Sequence, residues 1–276
     1  MEDTLTSGRI QVEASPEVMD LLAREIAAFQ ALYPEARIAL READSRAAVS
    51  DLYGGRTDLV AMARELDPQE RSVAVKGRLE LEGYRIARDA ICLVVNAANP
   101  VENLSVDELR QVCTGEARRW KAFGGPDEAI VPVFQGPTSD LTRAFLQQVM
   151  GGQPITAPAV PARSDSEVVA RVAAAPGGLG YVSLAWADRP GIKALHVAPL
   201  SGLGYEGPDP EAVYRGTYPL TRYLDLYVRT TGPRLANGFI TYVTSRDGQS
   251  LVHATGRVPT AVPVRFVRRS PLLGTH

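Results

Sequence analysis

Hydroxyl-bearing residues lie at a strand-to-helix junction in the middle of the chain, and such a junction can hold an anion. An apolar run over residues 130–134 ends at a Gly-Pro pair, and Thr138 and Ser139 then offer hydroxyls at a helix N-cap. Apolar residues at helical spacing indicate the helix, namely Leu141, Phe145 and Val149. A helix start presents free N–H groups at the positive end of its dipole. The junction therefore suits an anion, although an ordinary capped helix without a ligand has the same pattern.

Polar residues follow three other predicted strands. Ser15 and Ser45 come after the first two strands, and Arg64 follows the third. These strands are predicted over residues 8–12, 36–40 and 57–63. The alternation of strands and helices predicts a parallel sheet, in which ligands bind beyond the carboxyl ends of the strands. We therefore expect Ser15, Ser45, Arg64 and Ser139 to converge on one cleft.

The first long helix is also predicted from its pattern. Ser15 is expected to cap it, and a Tyr-Pro pair at residues 33–34 is expected to end it. Its predicted apolar face comprises Val18, Leu21, Leu22, Ile26, Phe29 and Leu32.

Composition bounds the class of protein. The 276 residues are 45% hydrophobic and 22% charged, with a formal net charge of -2, so the chain lacks the basic field of a nucleic-acid-binding protein. No run reaches the ~18 apolar residues of a membrane span. Cys92 and Cys113 form no metal pattern and are expected to be buried, and the three histidines are scattered. We expect no cofactor, no metal and no catalytic residue.

Several segments follow one another in an order known from one family. They are Asp89–Pro100, Asn103–Arg110, Trp120 with Gly124-Gly125, Gly178–Leu184, Tyr218–Arg222, and Gly248-Gln249 with Gly256–Pro259. In this order the chain resembles the phosphate-binding proteins of bacterial phosphate ABC transporters, within the type II periplasmic-binding-protein superfamily. The resemblance covers residues 8–259.

The resemblance implies an α/β fold of two lobes, each with a mixed, mostly parallel sheet and with the ligand cleft at the hinge. By analogy lobe I is residues 1–88 plus 218–276, and lobe II is residues 89–217. The implied partners are a small oxyanion, phosphate first, and an ABC transporter permease. We expect a monomer that binds no nucleic acid. Residues 1–7 lack the pattern of a secretory signal, so a periplasmic or surface-anchored location requires a removed signal segment, and a cytoplasmic one does not.

The family's ligand loops are only partly kept. The first loop motif, Gly-Ser-Ser/Thr-Thr, aligns with Ala14-Ser15-Pro16-Glu17 and keeps a hydroxyl at Ser15. The second loop keeps Ser45, which is followed here by Arg46. The third strand ends in Ala63-Arg64-Glu65-Leu66, similar to the Ser-Arg-x-Leu of some members.

The fourth loop departs further from the family. Gln135 stands in place of an arginine, and Ser139-Asp140-Leu141-Thr142 stands in place of Ser-Gly-Thr-Arg. The loss of arginine removes a planar donor fork, and Asp140 adds a carboxylate at the anion position. Arg46 and Arg64 are the candidates to replace the missing charge or to pair with Asp140, although each also fits a solvated surface residue. The predicted ligand-binding residues are Ser15, Ser45, Arg46, Arg64, Gln135, Thr138, Ser139 and Asp140.

Two other functions remain open at this point. These departures also suit a degenerate member that binds another small polar ligand, or none, and acts as a sensory or scaffold domain. An enzyme has less support, because no histidine lies beside a nucleophile and no motif places paired carboxylates. A basic tail over residues 262–269 is also expected.

Overall fold

The protein is a mixed α/β structure built around one large sheet. The structure, a computed structural model, describes residues 2–260, so the expected basic tail lies outside the described residues. The helices are α1 (Met19–Leu32), α2 (Ser45–Tyr53), α3 (Pro68–Lys76), α4 (Val106–Thr114), α5 (Asp140–Met150), α6 (Asp165–Ala174), α7 (Pro210–Arg215), α8 (Arg234–Val243) and α9 (Arg246–Ala254). No helix within 2–260 is long and apolar enough to cross a membrane.

The strands of the protein are interspersed with these helices. They are β1 (Gly8–Ala14), β2 (Ala36–Glu42), β3 (Leu59–Met62), β4 (Leu81–Asn96), β5 (Asn103–Ser105), β6 (Val131–Gln135), β7 (Val160–Ala162), β8 (Gly178–Ser183), β9 (Ile192–Ala194), β10 (His196–Ala198), β11 (Thr221–Arg229) and β12 (Val258–Pro259). The main sheet has the order β2-β1-β3-β11-β4-β8-β6-β7, with β9 and β12 also pairing with β4.

Each end of the main sheet is parallel, and its middle is antiparallel. β1 pairs in parallel with β2 and β3, and β6 pairs in parallel with β7 and β8. β4 and β11 run antiparallel to each other, and they join the two ends. The prediction of an α/β fold with a mixed sheet is confirmed, and the parallel pairs of the main sheet lie at its two ends. The carboxyl ends of β1, β2 and β6 each lead towards a helix, as the sequence predicted.

Two hydrophobic cores lie on either side of the middle of the sheet. The first is formed around β1–β3, α1, α8 and α9, and a small cluster under α2 lies beside it. The second surrounds the far part of β4 with β6, β8, α4, α5 and α6. Along β4 the packing changes core between Ala87 and Ala90, and at the start of β11 it changes between Leu220, just before the strand, and Leu224. We call the elements around these cores the first half and the second half.

Two expectations about α1 are wrong. Ser15 does not cap this helix, which begins after Val18 without a side-chain cap, because the backbone N–H of Ser15 pairs with Ala61 and its carbonyl accepts from Val18 in a turn. Leu32 is 58% exposed. It is the last residue of the helix, and the ring of Tyr33 packs beside Phe29 instead, with 4.9 Å between the ring centroids.

The helix α5 forms as predicted. The side chain of Ser139 caps it by accepting from the N–H of Thr142 at 3.4 Å, and Leu141, Phe145 and Val149 are fully buried. Gly151 ends it with φ 59°, a left-handed conformation that favours glycine. The second half thus presents the start of a firmly packed helix to the cleft.

Candidate functional site

The loops that follow the parallel strands meet in one cleft between the two halves. The open part of this cleft has a volume of about 830 Å³. Its lining includes Glu17 and Asp44 from the first half and Gln135, Thr138 and Ser139 from the second. Such a cleft, at the carboxyl ends of strands and beside helix starts, is where open α/β sheets bind ligands.

A buried carboxylate at the start of α5 crosses from the second half to the first. Asp140 is 1% exposed, and the hydroxyl of Ser45 donates to its two carboxylate oxygens at 2.5 and 2.6 Å. The backbone N–H of Ala63 donates to Asp140 Oδ2 at 3.0 Å, and Arg64 Nε lies 3.3 Å from Oδ1. A hydroxyl, a backbone N–H and a guanidinium therefore surround this one oxyanion.

Arg64 is held in place from its other side. Its two terminal nitrogens donate to the two oxygens of Glu70 at 2.7 Å each, and its side chain is 9% exposed. Glu70 completes a capping box with Asp67 at the start of α3. This bidentate pairing fixes the guanidinium plane. Nε then lies within ion-pair distance of Asp140 without donating a hydrogen bond to it.

A second carboxylate crosses in the opposite direction. Glu17, in the loop between β1 and α1, accepts through Oε1 from Ser139 Oγ at 2.9 Å, from Asp140 N at 2.9 Å and from Leu141 N at 3.3 Å. These donors form the N-terminus of α5, where the helix dipole favours negative charge. The anion position predicted there is therefore occupied by a side chain of the protein itself.

Burial and the neighbouring Glu17 both act on the titration of Asp140. Burial raises the pKa of Asp140 above its usual value, and the negative charge of Glu17 raises it further. The hydrogen bond from Ser45 and the charge of Arg64 oppose this rise. Two carboxylates therefore lie close together at the start of α5, and their negative charges disfavour the entry of an additional divalent anion.

A third carboxylate, partly buried, lies beside Gln135. Asp165, at the start of α6, accepts from Gln135 Nε2 at 2.6 Å and from the backbone N–H of Ser183 at 3.2 Å, and the Ser183 hydroxyl also donates to it. Burial raises the pKa of Asp165 above its usual value. Gln135 thus donates to a carboxylate of the protein, where the related family carries an arginine.

A buried ion pair lies where β4 and β11 cross between the halves. Arg222 donates to Asp89 Oδ2 through Nε at 2.9 Å and through Nη2 at 2.7 Å, and its Nη1 lies 3.4 Å from the carbonyl of Ala63. The other oxygen of Asp89 accepts from the N–H of Leu184 at 3.0 Å. This pair ties the two crossing strands to the floor of the site.

The structure brings several predicted residues together. Ser45, Arg64, Ser139 and Asp140 lie in one connected network, and Gln135 and Thr138 line the open cleft beside it. Ser15 is 1% exposed, and its hydroxyl has no partner among the described residues.

Arg46 does not balance Asp140. Its side chain is 65% exposed, and Nη2 lies 3.4 Å from Asp67 Oδ2. Its backbone N–H donates to Asp44, the N-cap of α2, which leaves the side chain free to extend towards the acidic start of α3. Arg64 takes the role of partner to Asp140, and Arg143 lies farther away at 3.7 Å.

Two residues of the site were missed from the sequence. Glu17 occupies the last position of the first loop motif, where the related family has threonine, so its carboxylate was a visible departure. Asp165 follows Ser164 at a predicted helix start and gave no stronger signal than other capped helices. Both are acidic, and both contact donors at the cleft.

Comparison with known proteins agrees with this architecture. A family model described as the PBP superfamily domain matches residues 2–247, and the chain belongs to that superfamily. It is 25% identical over 257 residues to the phosphate-binding protein PstS of Bacillus subtilis, an alignment that covers 92% of this chain and 81% of the relative. It is 23% identical over 279 residues to PstS of Pseudomonas aeruginosa, with 94% and 85% covered.

A solved structure has the same fold. An ABC-type phosphate transport receptor from Vibrio cholerae superposes with a TM-score of 0.79 at 24% identity, covering 92% of this chain and 100% of the other. At this level of identity the likeness establishes the type II periplasmic-binding-protein fold, in agreement with the sequence expectation.

Proposed function

We propose that this protein is a solute-binding protein for a small oxyanion, phosphate first. The observation that carries the proposal is the set of donors around Asp140: the Ser45 hydroxyl, the Ala63 N–H and the Arg64 guanidinium all contact one oxyanion. A carboxylate and a phosphate accept from the same kinds of donor. The related proteins of Bacillus subtilis and Pseudomonas aeruginosa are phosphate-binding proteins by name, which supports phosphate over other oxyanions.

The proposed ligand site comprises Ser45, Arg64 and the start of α5, with Ser15, Gln135 and Thr138 at its edge. For the described residues, the two cores support a division into two lobes, residues 2–88 plus 218–260 and residues 89–217. Tyr218 and Leu220 pack in the second core, which favours a crossing slightly later on β11, before Leu224. Opening and closing of these lobes would admit and enclose the solute.

The proposed role is recognition and delivery, with no catalytic step. A solute-binding protein of this class would act as a monomer, would hand its ligand to an ABC transporter permease and would work in the periplasm or at the cell surface. The relatives named above support this assignment through the likeness of the whole chain.

A degenerate sensory or scaffold domain is the second candidate. The observation that favours it is that Glu17 and Asp140 already contact donors of the proposed site, while Gln135 replaces an arginine. On this alternative the fold persists, and the site binds another small polar ligand or none.

Calorimetric titration with phosphate, sulfate and small organic acids distinguishes the two candidates. We expect phosphate to bind the unmodified protein, and Ser45→Ala to weaken the binding at least about tenfold, or ~1.4 kcal/mol. Ser50→Ala is the matched control, because Ser50 lies on the same helix, is exposed and makes no side-chain hydrogen bond within the described part of the chain. Equal effects of the two substitutions would contradict the proposed site. Absence of oxyanion binding in the unmodified protein and in Asp140→Gly would favour the second candidate.

A further inference from the structure

Two carboxylates make reciprocal contacts across the cleft. Glu17 belongs to the first half and accepts from the start of α5 in the second half. Asp140 belongs to the second half and accepts from Ser45 and Ala63 in the first half. Each half therefore inserts one negative charge among the donors of the other.

These contacts imitate those of a bound anion. A free oxyanion in the cleft would take hydrogen bonds from a helix N-terminus on one side and from hydroxyl, N–H and guanidinium donors on the other. Glu17 accepts from the helix N-terminus, and Asp140 contacts the hydroxyl, N–H and guanidinium donors. Asp140 is almost fully buried and lies outside the lining of the open cleft, so this position is already enclosed.

Away from the buried Arg222–Asp89 pair at the floor of the site, two other polar contacts across the cleft are more exposed. Arg143 Nη2 lies 3.2 Å from Asp44 Oδ2, with 23% and 34% of the two side chains exposed, and Gln148 donates to the carbonyl of Thr221 in an exposed contact. Solvated ion pairs of this kind contribute little to association, whereas a buried charge that loses its partner is costly. The carboxylate contacts are thus the ones able to control closure.

We propose that Glu17 and Asp140 are internal anions that hold the two halves closed without a solute, and that an incoming oxyanion must displace at least one of them. The displacement by an incoming oxyanion rests on the proposed function, whereas the closure without a solute does not. Closure by a side chain in place of a ligand gives a protein whose solute affinity is lowered by its own competitor.

Small-angle X-ray scattering of the solute-free protein tests the closure directly. The key variant is Glu17→Thr with Asp140→Gly, which introduces the residues that the related family carries at these positions. We expect the unmodified protein to have the same radius of gyration with and without 10-fold excess phosphate over its dissociation constant, roughly 90% saturation. The double variant should have a larger radius of gyration without phosphate.

Two further variants make the test specific. Glu17→Gln with Asp140→Asn removes only the charges and should show a smaller increase in the radius of gyration, because amide oxygens still accept hydrogen bonds. Glu42→Gln is the control: Glu42 lines the same cleft and makes no side-chain hydrogen bond or ion pair among residues 2–260, so its removal should change nothing. Far-ultraviolet circular dichroism and thermal melting identify variants that remain folded, and the comparison is restricted to those.

The outcomes separate this inference from the proposed function. If the double variant without solute is as compact as the unmodified protein, the proposal that Glu17 and Asp140 hold the halves closed is overturned, whether or not phosphate binds. An unmodified protein that contracts when phosphate is added would also overturn it. If the double variant is expanded but binds no oxyanion, the closing role of Glu17 and Asp140 is supported and the proposed function is contradicted.

Discussion

Asp140 Oδ2 lies 2.6 Å from Ser45 Oγ, and the two residues belong to opposite halves of the protein. The sequence separation of 95 residues makes this a contact that only the tertiary fold creates. It places a negative charge of the second half among the donors of the first half. The contact lies at the centre of the site, and its strength determines the affinity of the cleft for an external anion.

Removal of Arg64 should destabilise the fold strongly. Arg64→Ala leaves the carboxylates of Glu70 and Asp140 without their guanidinium, and loss of one partner of a buried ion pair costs ~3–5 kcal/mol. Arg46→Ala is the matched control, because that side chain is 65% exposed and pairs only loosely with Asp67, and we expect a change of at most about 1 kcal/mol. Urea denaturation at pH 7 measures both free energies of unfolding. Equal losses in the two variants would contradict the role given to Arg64.

The selectivity of oxyanion binding distinguishes two roles of Asp140. A ligand-facing acceptor would favour protonated phosphate over sulfate, so Asp140→Asn would erase that preference. An internal competitor acts on every anion, so Asp140→Asn should instead tighten the binding of phosphate and sulfate by similar factors. Titration of both anions into both proteins gives the ratio of the two affinities. We expect the ratio of phosphate to sulfate affinity in Asp140→Asn to stay within about twofold of the ratio in the unmodified protein. A preference for phosphate that falls to a ratio of about one in Asp140→Asn would support the acceptor role.

The buried glutamate of α1 should make stability depend on pH. Glu25 is 0% exposed, neither of its carboxylate oxygens has a partner in the described structure, and burial raises its pKa from 4.5 to about 8. The folded state therefore holds a proton that the unfolded state releases between these values. The stabilising effect of this proton is complete below pH 4.5 and is lost as the pH rises through about 8, by up to ~1.4 kcal/mol per pH unit.

Glu25→Gln should remove this dependence. Urea denaturation between pH 5 and 8 is expected to show a steeper decline in the free energy of unfolding for the unmodified protein than for the variant, over a range of about 3 pH units. Glu116→Gln, at an exposed position, serves as the control and should keep the original slope. Parallel curves for the unmodified protein and Glu25→Gln would show that Glu25 is not the group that titrates.

The sequence predicted the elements that carry strong local signals. The cap at Ser139 and the apolar face of α5 both appear as expected, because each depends on residues within one or two helical turns. The helix α3 was missed although Asp67-Pro68 and Glu70 form a capping box, since its remaining residues show little apolar periodicity. The helix α9 was not predicted, because Gly248 in its first turn weakens the helical pattern.

The partners within the site could be predicted only in part. Local pattern placed Ser45, Arg64 and Ser139 at strand ends, and the order of the strands brought them together. The choice between Arg46 and Arg64 as the partner of Asp140 depended on side-chain direction, which no spacing rule gives. The insertion of Glu17 at the start of α5 joins residues more than 120 positions apart, so its acceptor role was visible only in the folded protein.

Calorimetric titration of phosphate into Asp140→Gly and into the unmodified protein tests the central claim most directly. If the donors around Asp140 form an oxyanion site that the protein partly fills itself, Asp140→Gly should bind phosphate at least about tenfold more tightly, a gain of ~1.4 kcal/mol. If Asp140→Gly binds phosphate no more tightly than the unmodified protein, or if neither binds it, the claim that these donors form an oxyanion site is contradicted.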